Sequence, residues 1–223
     1  MSTAIQDILS RALGYSVQNA APDLTASSSE MISVVAGFER DIYRVAAQDN
    51  RYFVDIGQTV TSTNASANRT ADLSALTPAV ERLFRVTLPG GTWVSLVDYE
   101  DTDAELAPRA YVLGQTLYEV GSEWGATGAV ALGIDYGVKP ATLDPTSNMA
   151  QTVTLPDEYT DLLVLRLAAY LSEKDTGRDP AEAQGFDALY QQRLQDVLAA
   201  LASFGGRTRR RFLAPNVVPG GSE

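Results

Sequence analysis

The residues that could carry chemistry fall into three groups, and each is incomplete for the reaction it suggests. Asp98, Glu100, Asp101, Asp103 and Glu105 form a dense acidic run whose functional reading is a Ca²⁺ loop. In an EF-hand loop starting at Asp101, however, Leu106 takes the glycine position and the twelfth position is apolar instead of glutamate. A solvated loop capping a hairpin fits better. Trp93, Trp124, Tyr99, Tyr111, Tyr118 and Tyr136 are the makings of a sugar-binding platform, but aromatics alternating along strands more often fill a core. The third group is cationic: Arg207, Arg209, Arg210 and Arg211, followed by Phe212, Leu213, Val217 and Val218 around Pro215 and Pro219.

What is missing narrows the chemistry further. The chain has no histidine and no cysteine, which removes the usual general base, the Ser-His-Asp arrangement, thiol nucleophiles and Zn-thiolate sites. Lys139 and Lys174 are the only lysines, and neither follows a serine at the Ser-x-x-Lys spacing. No Gly-x-x-x-x-Gly-Lys or Gly-x-Gly-x-x-Gly is present. Paired carboxylates, as in glycoside hydrolysis, stay formally open. The expectation is a protein without catalytic activity, cofactor or metal.

The arginine run has two readings. It is a solvated tail beside a helix C-terminus, where cations are favourable, or a recognition segment whose apolar residues and arginines meet a partner. Residues 207–223 carry four arginines and one glutamate, a net +3, which leaves −14 on the rest of a chain whose total is −11. That acidic body argues against coating nucleic acid, but not against a surface past which DNA slides. On the second reading Arg207 to Val218 is disordered alone and ordered on its partner.

The elements that must position these groups begin with Val153 to Phe204. Leu155-Pro156-Asp157-Glu158 announces a helix, with proline pre-set in φ and carboxylates at the N-terminus. Its apolar residues, Leu162, Leu163, Val164, Leu165, Leu167 and Leu171, exceed one stripe and demand cover on several sides. Asp179-Pro180-Ala181-Glu182 starts a second helix, striped by Phe186, Leu189, Tyr190, Leu194, Val197, Leu198 and Leu201. Gly205-Gly206 is expected to end it. The short linking turn makes the pair antiparallel.

Upstream, Thr3 to Leu13 is amphipathic through Ile5, Ile8, Leu9, Ala12 and Leu13, with Gly14 as its stop. Ser27-Ser28-Ser29-Glu30 is a capping box opening a helix to about Asp49. Its buried face is Met31, Val34, Val35, Phe38, Ile42, Val45 and Ala46, while Glu39, Arg40, Asp41 and Arg44 face water. From Tyr52 to Val138 the pattern turns to strands. Leu83 to Leu88 and Trp93 to Val97 make a hairpin across Pro89-Gly90-Gly91, and Ala110 to Val120 makes a second across Gly114-Gln115. Ala129 to Tyr136 adds a strand, and Thr61 to Thr70 reads as a polar loop or hairpin end. Leu162, Leu163, Leu167, Phe38, Ile42, Leu194 and Val197 are expected to be buried together.

The 223 residues suffice for one large or two small domains. The fold class expected is α+β: a bundle of about four helices from both ends of the chain, an inserted antiparallel β domain and an extended C-terminal arm. The divisions are 1–52 for the N-terminal helices, 53–149 for the β domain, 150–206 for the C-terminal helices and 207–223 for the arm. No stretch is a membrane span, and the start of the chain does not read as a signal peptide.

Pro108-Arg109-Ala110-Tyr111-Val112-Leu113, Leu132-Gly133-Ile134-Asp135-Tyr136 and Leu155-Pro156-Asp157-Glu158-Tyr159-Thr160-Asp161-Leu162-Leu163-Val164 together follow a recurrent layout. The chain resembles the head-to-tail adaptor, or connector, proteins of tailed bacteriophages. The resemblance implies a structural protein of the virion neck, made in the host cytoplasm. It implies a ring, dodecameric in the virion, that docks on the portal protein, meets stopper or tail proteins, and continues a channel through which packaged DNA passes without sequence-specific binding. By the same analogy Arg207, Arg209, Arg210, Arg211, Phe212, Leu213, Val217 and Val218 are the portal-docking arm, and no membrane or cofactor is involved. Two other readings stand beside it. One is a carbohydrate-binding or carbohydrate-active β domain on a helical oligomerisation stalk, motivated by Trp93 and Trp124 near an acidic loop. The other is a stopper or tail-completion protein.

Overall fold

The computed structural model describes residues 3–16, 28–65, 68–97, 108–120, 128–174 and 180–212. Among them are the helices α1 (Ile5–Ser16), α2 (Ser28–Gln48), α3 (Asp161–Lys174) and α4 (Pro180–Phe212). A single 3₁₀ turn, Asp157–Tyr159, precedes α3. The strands are β1 (Val54–Ala65), β2 (Asn68–Asp72), β3 (Val80–Thr87), β4 (Trp93–Leu96), β5 (Arg109–Leu113), β6 (Thr116–Val120) and β7 (Val130–Val138).

α3 is covered as its composition required. It buries Leu162, Leu163, Val164, Leu167, Ala168, Ala169 and Leu171, and α1, α2 and α4 all pack on it. α1 contributes Ile5, Ile8 and Ala12, and α4 contributes Ala183, Tyr190, Leu194, Val197, Leu198 and Leu201. α1 runs through Gly14 to Ser16 rather than stopping at the glycine. One glycine in a helix costs only about 1 kcal/mol.

The strands close on themselves in the order β1-β2-β6-β5-β4-β3-β7. β1 pairs with β2 through Ser62–Ala65 and with β7 through Val54–Ser62. β2 crosses to β6, with Ala71 opposite Leu117. β4 bridges the remaining gap: Val94 pairs with Val86 of β3, and then Ser95 and Leu96 run parallel to Arg109 and Ala110 of β5. Alternate residues point inward and fill the barrel, among them Val60, Ala71, Val86, Val94, Ala110, Leu117, Leu132, Ile134 and Tyr136. The alternation expected for Leu132, Ile134 and Tyr136 is borne out. The buried apolar residues form one cluster that continues from the helices into the barrel.

The expected fold class is therefore wrong. The strands are not an antiparallel domain inserted into a helical bundle but a closed seven-stranded barrel containing one parallel pair. The helices form a layer centred on α3 rather than a bundle of equivalent neighbours. Local alternation and turn residues reveal hairpins. Closure depends on β1–β7 and β2–β6 pairings, remote in sequence and without a local signature. Part of the Thr61 to Thr70 stretch is strand, because backbone pairing with β2 and β7 satisfies residues whose side chains alone read as loop.

Candidate functional site

The cationic end of α4 is the group the sequence singled out, and the α3–α4 pair sets its direction. Arg193 of α4 donates through Nε to Asp161 Oδ2 at 2.6 Å and through Nη2 to the Glu158 carbonyl oxygen at 3.1 Å, tying α4 to the start of α3. Arg166 of α3 pairs with Asp187. Its guanidinium lies 5.5 Å from the Tyr190 ring centre and 5.4 Å from that of Phe38, a cation held between two π faces. Lys174 at the end of α3 pairs with Glu30 at the start of α2, and that hydrogen bond holds the Glu30 carboxyl below its ordinary range.

α4 does not end at Gly205-Gly206. It continues to Phe212, so Arg207, Arg209, Arg210, Arg211 and Phe212 lie in its last turns rather than in an extended arm. Two glycines weaken a helix without forbidding it, since glycine costs about 1 kcal/mol and lacks the ring clash of proline. From Leu201 to Phe212 the helix runs about 16 Å. Leu213, Val217 and Val218 lie outside the described residues.

Among the described residues the other sequence candidates do not gather into one site. The acidic run from Asp98 to Glu105, with Tyr99 and Trp124, lies outside the described residues. Tyr136 is core: it is fully buried, its hydroxyl donates to the Pro78 carbonyl oxygen at 2.8 Å, and burial next to Asp55 pushes its pKa up to about 12. Tyr111 and Tyr118 stack on each other, 5.0 Å between centres and 8° between planes. Trp93 is exposed, but the Arg85 guanidinium lies 5.5 Å from its ring centre, and that face is not open to a sugar. Among the described residues no group of three or more acidic residues could hold a metal ion, and no helix is long and apolar enough to cross a membrane.

One residue that positions the site was missed. Glu39, expected to face water, is completely buried in α2. Its Oε1 accepts the backbone N–H groups of Thr154 at 2.6 Å and Leu155 at 2.8 Å. It thereby fixes the segment that leads through the 3₁₀ turn into α3, and so to α4. Burial raises its pKa against the two hydrogen bonds, and Oε2 has no partner among the described residues. The signal was there: Val35, Glu39, Ile42 and Ala46 share one helical face. Beside it, burial also raises the Tyr43 hydroxyl.

Among the described residues the chain combines a barrel filled by its own side chains, a layer of helices, and a long helix with four arginines in its last turns. The chain belongs to the SU10 adaptor protein family, whose model matches residues 3–219. It is accordingly a phage structural adaptor, in agreement with the resemblance drawn from its sequence. No curated protein matches it.

Proposed function

We propose that this protein is a non-enzymatic component of the phage neck, which assembles as a ring, dodecameric in the virion, between the portal protein and the stopper or tail proteins. The family match over residues 3–219 carries this reading. The ring continues the DNA channel, and an overall charge of −11 suits a wall past which a polyanion must slide. The subunits are made in the host cytoplasm and enter the virion there. Docking on the portal falls to Arg207, Arg209, Arg210, Arg211, Phe212, Leu213, Val217 and Val218. The first five lie in the end of α4. Four arginines there can form charge-assisted, bidentate bonds with carboxylates of a partner.

Electron microscopy of the purified protein mixed with the portal protein of the same phage tests the proposal. Rings stacked coaxially on the portal are expected. Portal particles that stay bare at micromolar adaptor would overturn it.

A further inference from the structure

We propose that Glu39 is a proton-operated clamp on the chain entering α3: it is closed while its carboxyl carries a proton, and ionisation releases Thr154 and Leu155.

The chain from Met149 to Asp157 lies between β7 and α3 and is gripped from two sides. On one side the start of the protein pairs with it through an antiparallel bridge, Ala4 to Thr152. Ile5 N–H donates to the Gln151 carbonyl oxygen at 3.0 Å, and Val153 N–H to that of Thr3 at 3.1 Å. Thr3 Oγ1 donates to Asp157 Oδ1 at 2.6 Å. On the other side the grip is Glu39, whose Oε1 takes the next two N–H groups, those of Thr154 and Leu155. Val153 and Leu155 are themselves buried, so the gripped stretch is seated in the core.

Among the described residues Glu39 is the one carboxyl that is completely buried. The ionisable groups on the elements around it are engaged elsewhere. Arg11 of α1 donates to Thr160, and Arg166 and Asp161 of α3 pair with Asp187 and Arg193 of α4. On the 3₁₀ turn Asp157 accepts from Thr3, and Tyr159 bonds to Glu158. Only the Tyr43 hydroxyl, one turn along α2, matches Glu39 Oε2 in having no partner. A carboxylate here would be a buried charge without a cation, which is costly. A protonated carboxyl keeps Oε1 for the two N–H groups and carries its proton on Oε2, on the helix face it shares with Tyr43. Ionisation therefore favours any state in which Glu39 reaches water. The smallest such state unseats Thr154 and Leu155 and leaves the rest of the fold in place.

Native-state hydrogen exchange of the wild-type protein tests this. The Thr154 and Leu155 amides are expected to exchange through an opening that low urea does not affect, ahead of the Leu167 and Leu171 amides of α3. After correction for the intrinsic rate, their protection should fall severalfold or more from about pH 4 to about pH 8, about tenfold for each unit by which folding raises the carboxyl. In Glu39→Gln it should stay flat. Thr154 and Leu155 amides no less protected than those of Leu167 and Leu171 would overturn the clamp, because Glu39 would then ionise only when the whole subunit unfolds. So would a fall with pH that persists in Glu39→Gln. Should that variant not fold, the ¹³C shift of the Glu39 carboxyl in wild type reports the same titration: a midpoint above the ordinary 4.5 is expected, and a midpoint at or below it would overturn the proposal.

Discussion

At the scale of single residues, two buried polar arrangements determine how the protein responds to substitution and pH. Glu39 is ordinarily half-protonated at 4.5, and burial raises that value in the folded chain. Below 4.5 the group is neutral in both states, and its contribution to stability is fully present. As pH rises towards and through the folded value, the unfolded chain releases its proton first, and that contribution is lost. Glu39→Gln keeps an acceptor for Thr154 and Leu155 but cannot titrate. The melting temperature of Glu39→Gln relative to wild type should therefore climb between pH 4 and pH 8. A difference that stays flat over that range would show that Glu39 has no raised pKa. The second arrangement is Arg69–Glu119 inside the barrel, Nε to Oε2 3.3 Å, with side chains only 9% and 4% exposed. Arg69 Nη1 has no hydrogen-bond partner among the described residues, and burial raises the Glu119 pKa despite the Ser62 hydroxyl and the arginine. Glu119→Ala strands a buried cation and should cost about 3–5 kcal/mol, whereas Arg69→Met with Glu119→Leu should be neutral or stabilising. Urea titrations of both variants read this, and equal destabilisation in the two would count against an ion-pair origin. Glu39 was misread because its charge outweighed its place on the helix. Arg69 and Glu119 stand out less still, because the strand partners that bring them together are far apart in sequence.

At the scale of elements, the sequence was most informative where a pattern is local and least where pairing is remote. The breadth of the apolar surface of α3 was visible in Leu162, Leu163, Val164, Leu167 and Leu171, and each of these is buried. The start of α4 at Pro180 was also legible, from a capping motif confined to four residues. Its stripe was overdrawn by one residue: Leu189 has apolar spacing yet is 52% exposed, because α3 covers only the other side of α4. Phe38 is half-buried rather than fully buried, its ring lying instead under Arg166 and edge-on to Tyr170. These differences set up a paired measurement. Leu163→Ala should lose about 2–5 kcal/mol, as buried leucine truncations do. Leu189→Ala should stay within about 0.5 kcal/mol of wild type. A Leu163→Ala protein as stable as wild type in guanidinium would remove α3 from the centre of the core.

At the scale of the whole molecule, the question is what the last turns of α4 do. An extended arm disordered until bound was the sequence expectation; a helix running on to Phe212 changes how it would work. A helix that already holds Arg207 to Phe212 in register loses less conformational entropy on docking than an extended strand would. It also presents its arginines at helical spacing, so the partner's carboxylates should lie along a groove rather than along a sheet edge. On the docking proposal residues 207–223 serve a partner rather than the subunit's own core, so removing them should leave that core intact. The truncated protein should therefore keep its melting temperature within about 2–4 °C, the shift that 1 kcal/mol produces in a domain of this size. On the docking proposal it should also lose portal binding, and particles carrying it should have DNA-filled heads without tails. A second variant separates charge from shape: replacing the four arginines with glutamine keeps the helix formers and removes the cations. Co-sedimentation with portal at low and high salt then gives the decisive comparison. Binding by wild type that weakens with salt, and is absent in both variants, supports docking through this helix end. Truncation that leaves portal binding intact would move the docking surface elsewhere on the adaptor, and truncation that unfolds the subunit would make residues 207–223 part of its core.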